Sequence, residues 1–458
     1  MKISRSKTHC KTYAIPALRF EEQQLTSFSG LLIFQRLFDA LSLSSRLRNC
    51  FRHVKVTPIF GYSRIVLLLV VHMLLGYREL RSIRYYEEDP LVQRLLGLKR
   101  LPDVATLSRT LSSVDDHSVN KLQGLNGQLV LDRLSRLELN RVTLDFDGSV
   151  IGTGRFAEGT AIGYNRKKKG QRSYYPLFCT LAQTGQVLDV LHRSGNVHDS
   201  NGAQTFISDC IEQVKSVLPR AVIEVRMDSA FFSDAIIAVL DQQKIEYSIS
   251  VPFERLGALK EQIESRRRWY DMKGQCNYFE IQWKPKCWLE RHRFIAVRKT
   301  VKKQTKQPVQ LDLFIPYEQG YEFKVIITNK TTTANHVVAY HNGRGSQEGI
   351  FAELKSQNQL DYVPTRTWNG NKVYMLATLL AHNLSRELQM RVNPRKRNTV
   401  TKRKSLWPFE QLNSLRQRII QRAGRLIRPN GKITLSMNAN KTVENELLHY
   451  LNAIEQAA

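Results

Sequence analysis

The chain has 458 residues, 42% of them hydrophobic, which suffices for two or three domains with buried cores and excludes wholesale disorder. Its 69 Lys plus Arg against 41 Asp plus Glu leave a formal net charge of +28. A positive field of that size points to nucleic acid, because cationic side chains displace the counterions condensed on phosphates. The six cysteines form no CxxC pair, which speaks against a zinc or thiol-redox site, and a chain this long needs no disulfide framework. No apolar stretch follows the N-terminal charges as a signal peptide requires. The longest apolar run, residues 65–76, falls short of the roughly 20 residues of a membrane span and is expected to be a buried helix. The expected setting is the cytoplasm, on the nucleoid, with no membrane partner.

In chain order, residues 1–135 carry apolar residues at helical spacing over 31–43, 65–75, 92–98 and 104–111. Asp103, just after Pro102, is placed to cap the last of these. That helix, with Thr106, Ser108 and Arg109, suits either a DNA-reading helix or an ordinary amphipathic surface helix. From Arg141 the period becomes two: Val142, Leu144 and Phe146 share one face, and Thr143, Asp145 and Asp147 the other. A cationic loop follows, with Arg166, Lys167, Lys168, Lys169 and Arg172. Its position beside the first strand predicts contact with DNA phosphates.

Next come a hairpin over 176–191 turning at Thr184–Gly185, a helix over 202–217, a strand ending at Asp228, a helix over 234–243 and a strand over 245–251. The order predicts a mixed α/β sheet with a three-stranded meander feeding a parallel part. The alternating segments YFEIQW, RFIAVRKT, VQLDLFIP and YEFKVIIT between 277 and 328 predict a β-rich insertion. A long helix is expected over 371–390, with Asn371 as its N-cap. The tail from Asn393 is rich in cations, with an amphipathic helix expected over 409–427. The expected organisation is a helical DNA-binding domain (1–135), a catalytic core (136–255 and 330–392) interrupted by the insertion (256–329), and a basic DNA-binding or oligomerisation region (393–458).

Phosphodiester chemistry develops negative charge on both the attacking and the leaving oxygen, and two Mg²⁺ ions about 3.5–4 Å apart stabilise both. Mg²⁺ takes carboxylate oxygens and keeps several waters, so such a site needs about three acids from different elements. Asp147 and Asp228 each end an apolar strand and are followed by a small residue, Gly148 or Ser229. Carboxyl ends of adjacent strands are where open α/β sheets bind ligands. A third acid is offered by YHNGRGSQEGIFAELK, where Tyr340, Arg344 and Glu348 recur every four residues and Lys355 follows seven later. One continuous helix would put all four on one face. A surface Arg344–Glu348 pair is the plainer alternative.

These residues resemble the DDE transposases of bacterial insertion sequences, in particular the group with a Tyr-Arg-Glu-Lys signature around the catalytic Glu. Arg344, Glu348 and Lys355 match its last three letters and both spacings; His341 stands where the Tyr is expected, with Tyr340 one place earlier. Asp147-Gly148-Ser149 and Asp228-Ser229-Ala230-Phe231 match the contexts of the group's first two acids, and a β-rich insertion before the Glu matches as well. The resemblance covers residues 140 to 390.

It implies an RNase H-like core in which Asp147, Asp228 and Glu348 bind two Mg²⁺ ions, with Mn²⁺ able to substitute. It places Arg344, Lys355 and Tyr340 on DNA. It further implies cleavage at terminal inverted repeats, strand transfer into target DNA, and a homodimer on paired ends. Trp283 and Trp288, and more remotely Trp269, are candidates for stacking a flipped base, with a packing role as the alternative. Asp145 could be a ligand but is expected instead to support the acids or the fold; His198-Asp199 could polarise water but is expected to be a loop or cap; His382 is expected to be core, and Glu353 a weaker substitute for Glu348. A two-metal nuclease without strand transfer and a repurposed, non-catalytic DNA binder are the other functions these residues allow.

Overall fold

The computed structural model describes residues 15–163, 168–198, 201–272, 274, 276–300, 321–396 and 402–456. Lys167, Asp199 and the VQLDLFIP segment lie outside these residues.

The front is helical as expected: α1 (Leu31–Ala40), α2 (Leu43–Cys50), α3 (Tyr62–Leu75), α4 (Pro90–Leu96), α5 (Val104–Ser112) and α6 (Asp116–Ser135). Asp103 does cap α5, its carboxylate accepting from Thr106 N at 2.7 Å. Helix α3 is apolar on every side and buried from Ile65 to Leu75, so it is core and not surface. No described helix is long and apolar enough to cross a membrane.

Strand β2 (Arg141–Gly148) is the spine of the catalytic sheet. It pairs antiparallel with β6 (Leu177–Leu181), which pairs antiparallel with β7 (Val187–Leu191) through a tight turn with Gly185 at φ +62°. On its other side β2 runs parallel to β8 (Val222–Met227), and β8 runs parallel to β9 (Glu246–Ser250). The order β7-β6-β2-β8-β9 is the mixed topology of an RNase H-like core. Helices α7 (Ala203–Val217) and α8 (Asp234–Gln242) cover the face that carries Val142, Leu144 and Phe146, so the period-two pattern was a faithful guide. A small satellite sheet, β3 (Ile151–Gly152), β4 (Ala161–Ile162) and β5 (Arg172–Tyr174), hangs from the end of β2.

The β-rich insertion is continuous with this sheet. After the short α9 (Gly257–Glu264) come β10 (Tyr270–Met272), β11 (Cys276–Trp283), β12 (His292–Thr300) and β13 (Tyr321–Thr328). They form an antiparallel meander, and β13 pairs with β9, giving nine strands in one sheet among the described residues.

Helices α10 (Ala334–Asn342), α11 (Gly345–Ser356) and α12 (Trp368–Val392) follow. Thr367, not Asn371, caps α12: its backbone is extended and its hydroxyl accepts from Gly370 N. Asn371 lies a turn inside, where it holds Thr365 and the Tyr174 hydroxyl. Helix α12 is buried almost throughout and packs on α3, α5 and α6. Among its buried polar residues, Asn383 pairs with Asn126 and Glu387 with Arg133 and Arg391. His382 is core, hydrogen-bonded to Gly185 O.

The tail differs from expectation. Helix α13 (Leu412–Leu415) continues as a wider π turn to Ile420, and residues 424–427 form β14 (Gly424–Ile427) instead of more helix. Strand β14 pairs with β1 (Leu25–Thr26) and β15 (Thr434–Ser436), and α14 (Lys441–Gln456) packs on α1. Close approach decides this: a Cβ on Gly30 would lie 2.0 Å from Ile419 O. Several tail cations are internal. Arg403 bonds Glu224, and buried Arg416 bonds the carbonyls of Met73, Leu74 and Gln357. They are therefore not free to bind phosphates.

Glu353 is likewise structural. It pairs with Arg386 of α12, both nearly fully buried, and accepts from Leu412 N at 3.2 Å. Removing one member of a buried pair strands the other charge, so Glu353→Ala should cost about 3–5 kcal/mol in urea unfolding. Adding Arg386→Met should restore most of it.

Candidate active site

Two acids meet through the parallel register. Phe146 pairs with Met227 across β2 and β8, so the next residues, Asp147 and Asp228, stand side by side at the two carboxyl ends. Asp228 also starts a single turn, accepting from Ala230 N at 3.0 Å. Two residues earlier on the same face, Asp145 is fully buried and held bidentate by Arg226 at 2.5 and 2.7 Å. Asp145 is thus engaged in a buried ion pair.

The third acid rides on α11. This helix is tied to the end of β2 at three points. Arg344, at its start, donates to Asp147 at 2.9 Å; Gln347 Nε2 donates to Asp145 O at 2.9 Å; Lys355 Nζ donates to Val150 O at 3.0 Å. Glu348 lies between these ties on the exposed first turn. Among the described residues, no three His, Cys, Asp or Glu side chains stand close enough to hold one metal ion. Arg344, expected on DNA, instead engages Asp147, and Lys355 engages a loop carbonyl.

The signature is not one helix. At Gly343–Arg344 the chain tightens, with Arg344 N bonding His341 O and Gln347 N bonding Arg344 O. The tightened turn separates α10 from α11, and Tyr340 is buried while Glu348 is exposed. Tyr340 is buried, with Arg226 and Lys330 over its ring at 5.3 and 4.3 Å, so the expected DNA contact is withdrawn. His341, in the place of the signature Tyr, is buried between Ser248 and Ser250.

Both tryptophans proposed for base stacking are packed instead. Trp288 is 6% exposed and stacks on Phe232 at 4.8 Å, and half-buried Trp283 lies edge-on to Phe294 at 5.3 Å. Trp269 is covered by Arg298 at 4.5 Å. Aromatic side chains that do line the cleft include Phe232, four residues after Asp228, with Tyr175, Phe253, Phe323 and Tyr362. The signal of Phe232 in the sequence was faint, because it follows the acid's own motif.

The cleft measures about 1490 Å³ and runs past Gly148, Ser149 and Asp228. Its cations are Arg78, Arg155, Lys168, Arg255, Lys324 and Lys355, drawn from every part of the chain. Lys169 is exposed nearby, whereas Arg172 is turned inward onto Thr160 and the Phe156 ring. Sequence patterning missed Lys324, which stands on β13 and donates to Asn342 Oδ1 at 2.9 Å. Burial, reinforced by the nearby Arg344 charge, lowers its pKa from 10.5 to about 8.

Two outcomes follow for binding to duplex DNA. A side chain that sheds its charge near pH 8 stops helping phosphate binding as pH rises. Affinity should therefore fall from pH 7 to 9, with a salt slope shallower by up to about 0.9. Lys324→Arg should remove that pH dependence. Replacing Lys168 and Lys169 by Ala should flatten the slope by about 1.8 in titrations of a fluorescent duplex, and an unchanged slope would take both lysines off the DNA.

No curated protein matches the chain. Among solved structures, it is similar to a piggyBac transposase synaptic complex with hairpin DNA, at 12% identity and TM-score 0.44, over 80% of this chain and 77% of that one. It is also similar to a Mos1 transposase paired-end complex with the left transposon end, at 10% identity and TM-score 0.17, over 36% and 56%. The family model described as "Transposase DDE domain group 1" matches residues 11–458. Matched over nearly its whole length, the chain belongs to that family of DDE-domain transposases.

Proposed function

We propose that this transposase cleaves DNA at the ends of its element and transfers the freed strand, with Asp147, Asp228 and Glu348 as the acids that work together. The observation that supports the reading is the Phe146–Met227 register, after which Asp147 and Asp228 are the next residues, beside a cation-lined cleft that reaches Asp228. The donor set suits a hard cation, since the site offers carboxylate oxygens and no thiolate. Asp147 and Asp228 would hold it, with Glu348 completing the set once Arg344 leaves Asp147 and the first turn of α11 swings inward. When bound there, two Mg²⁺ ions, or Mn²⁺ in their place, supply the charge that activates the attacking oxygen and stabilises the leaving one.

The protein's own residues do the rest. Arg344 has a competing partner in the DNA backbone: a phosphate entering the cleft can take its guanidinium and release the Asp147 carboxylate. Lys168, Lys324 and Lys355 then hold the strand so that its scissile phosphate faces the acids. The partners in this reading are terminal repeats and target DNA, gathered by a homodimer in the cytoplasm.

The test uses the full chain and a duplex taken from the DNA flanking its gene. Asp147→Asn, Asp228→Asn and Glu348→Gln should each lower Mg²⁺-dependent nicking by more than about 100-fold, because groups that merely orient metal ligands are already worth about 10–100-fold. DNA binding in EDTA should be unchanged. Glu348→Gln that nicks like the unaltered protein would remove Glu348 from the trio. Joined products with a second duplex separate strand transfer from simple hydrolysis.

A further inference from the structure

We infer that the buried Asp145–Arg226 pair is a positioning device that sets the offset of the Glu348 helix against Asp147 and Asp228. The inference rests on the three-acid reading above. Asp145 and Arg226 are registered opposite each other in β2 and β8, each two residues before a candidate catalytic acid. With a period of two, all four side chains share one face of the sheet.

Arg226 does more than neutralise Asp145. Its Nη1 donates to Tyr340 O at 3.0 Å and Lys402 O at 2.9 Å, and its guanidinium lies over the Tyr340 ring. Tyr340 stands near the end of α10, and the kink that launches α11 comes three residues later. One side chain therefore ties both acid-bearing strands to the turn from which the third acid departs. A guanidinium suits this task because its rigid fork fixes several bond directions at once. Gly343 completes the joint: a Cβ there would lie 2.0 Å from Lys402 O and 2.2 Å from Arg226 Nη1. Gln347 adds a second tie, to the Asp145 carbonyl.

Stability does not account for such a pair. Desolvating two charges costs about what their attraction returns, and apolar replacement is often neutral or stabilising. The contacts of this pair instead converge on the spacing of the three acids.

The experiment compares the unaltered chain with the double variant Asp145→Leu/Arg226→Met, with Arg226→Lys and with Gly343→Ala. The readouts are thermal unfolding, binding of the flanking-DNA duplex in EDTA, and nicking as a function of Mn²⁺. The double variant should unfold no earlier and bind DNA normally. Its nicking should fall about 10–100-fold, with half-saturation moved to higher Mn²⁺. Arg226→Lys keeps the charge but loses the carbonyl ties, and Gly343→Ala keeps both charges while its Cβ presses on Lys402 O and Arg226 Nη1 and displaces the turn. Both should show the same shift in half-saturation, and they decide the matter if the double variant does not fold. Normal Mn²⁺ dependence in folded variants would overturn the inference. Glu348→Gln runs alongside: if it nicks normally, the three-acid reading has failed; if it is inactive while the others are normal, only the positioning role has failed.

Discussion

The parallel pairing of β2 with β8 is the constraint on which the rest of the site depends. Its register aligns Phe146 with Met227 on the apolar face and Asp145 with Arg226 on the polar one. A slip of one residue would turn every side chain of a strand to the wrong face. Phe146 and Met227 would enter the polar layer, and a charged group would enter the core under α7 and α8. The hydrophobic burial that fixes the register therefore also fixes the two strand-end acids beside each other.

Around that pair the molecule is organised by ties between distant parts of the chain. The helical front, α12 and the tail share one apolar core, so they are not separate modules along the sequence. Arg416 bonds the end of α3 and the end of α11 at once, and Lys402 and Arg403 strap the tail to Arg226 and Glu224 under the sheet. Glu224 shows how strongly charge is engaged there. Burial would raise its pKa, but hydrogen bonds from Arg403 and Lys330 outweigh that and hold it at about 2. The net charge of +28 is thus divided between internal struts and a cleft lined by cations.

The arrangement of the site has a physical cause. Two carboxylates at adjacent strand ends repel one another, and Arg344 relieves that charge by engaging Asp147. The residue that spacing assigned to the DNA backbone and the residue that neutralises the acid are the same, because both partners are oxyanions. Glu348 stands exposed on the first turn of α11.

Much of the fold was legible in the chain because local periodicity encodes it. The alternation at 142–147, the helices of the front, the hairpin at Gly185 and the cap at Asp103 all depend on neighbours in sequence. Asp147 and Asp228 were legible for the same reason, each ending an apolar strand. The burial of Tyr340 and Trp288, the inward turn of Arg172, the true cap of α12 and the strand at 424–427 were not. Each depends on a partner far along the chain: Arg226 for Tyr340, Phe232 for Trp288, Thr160 for Arg172, the Tyr174 hydroxyl for Asn371, β1 for β14. By itself the sequence determined which residues carry charge and which strands and helices form, since those follow from side-chain chemistry and spacing. Only the tertiary structure decided which charges face the cleft and which are consumed as struts, because that choice is made by burial against residues the local pattern cannot see.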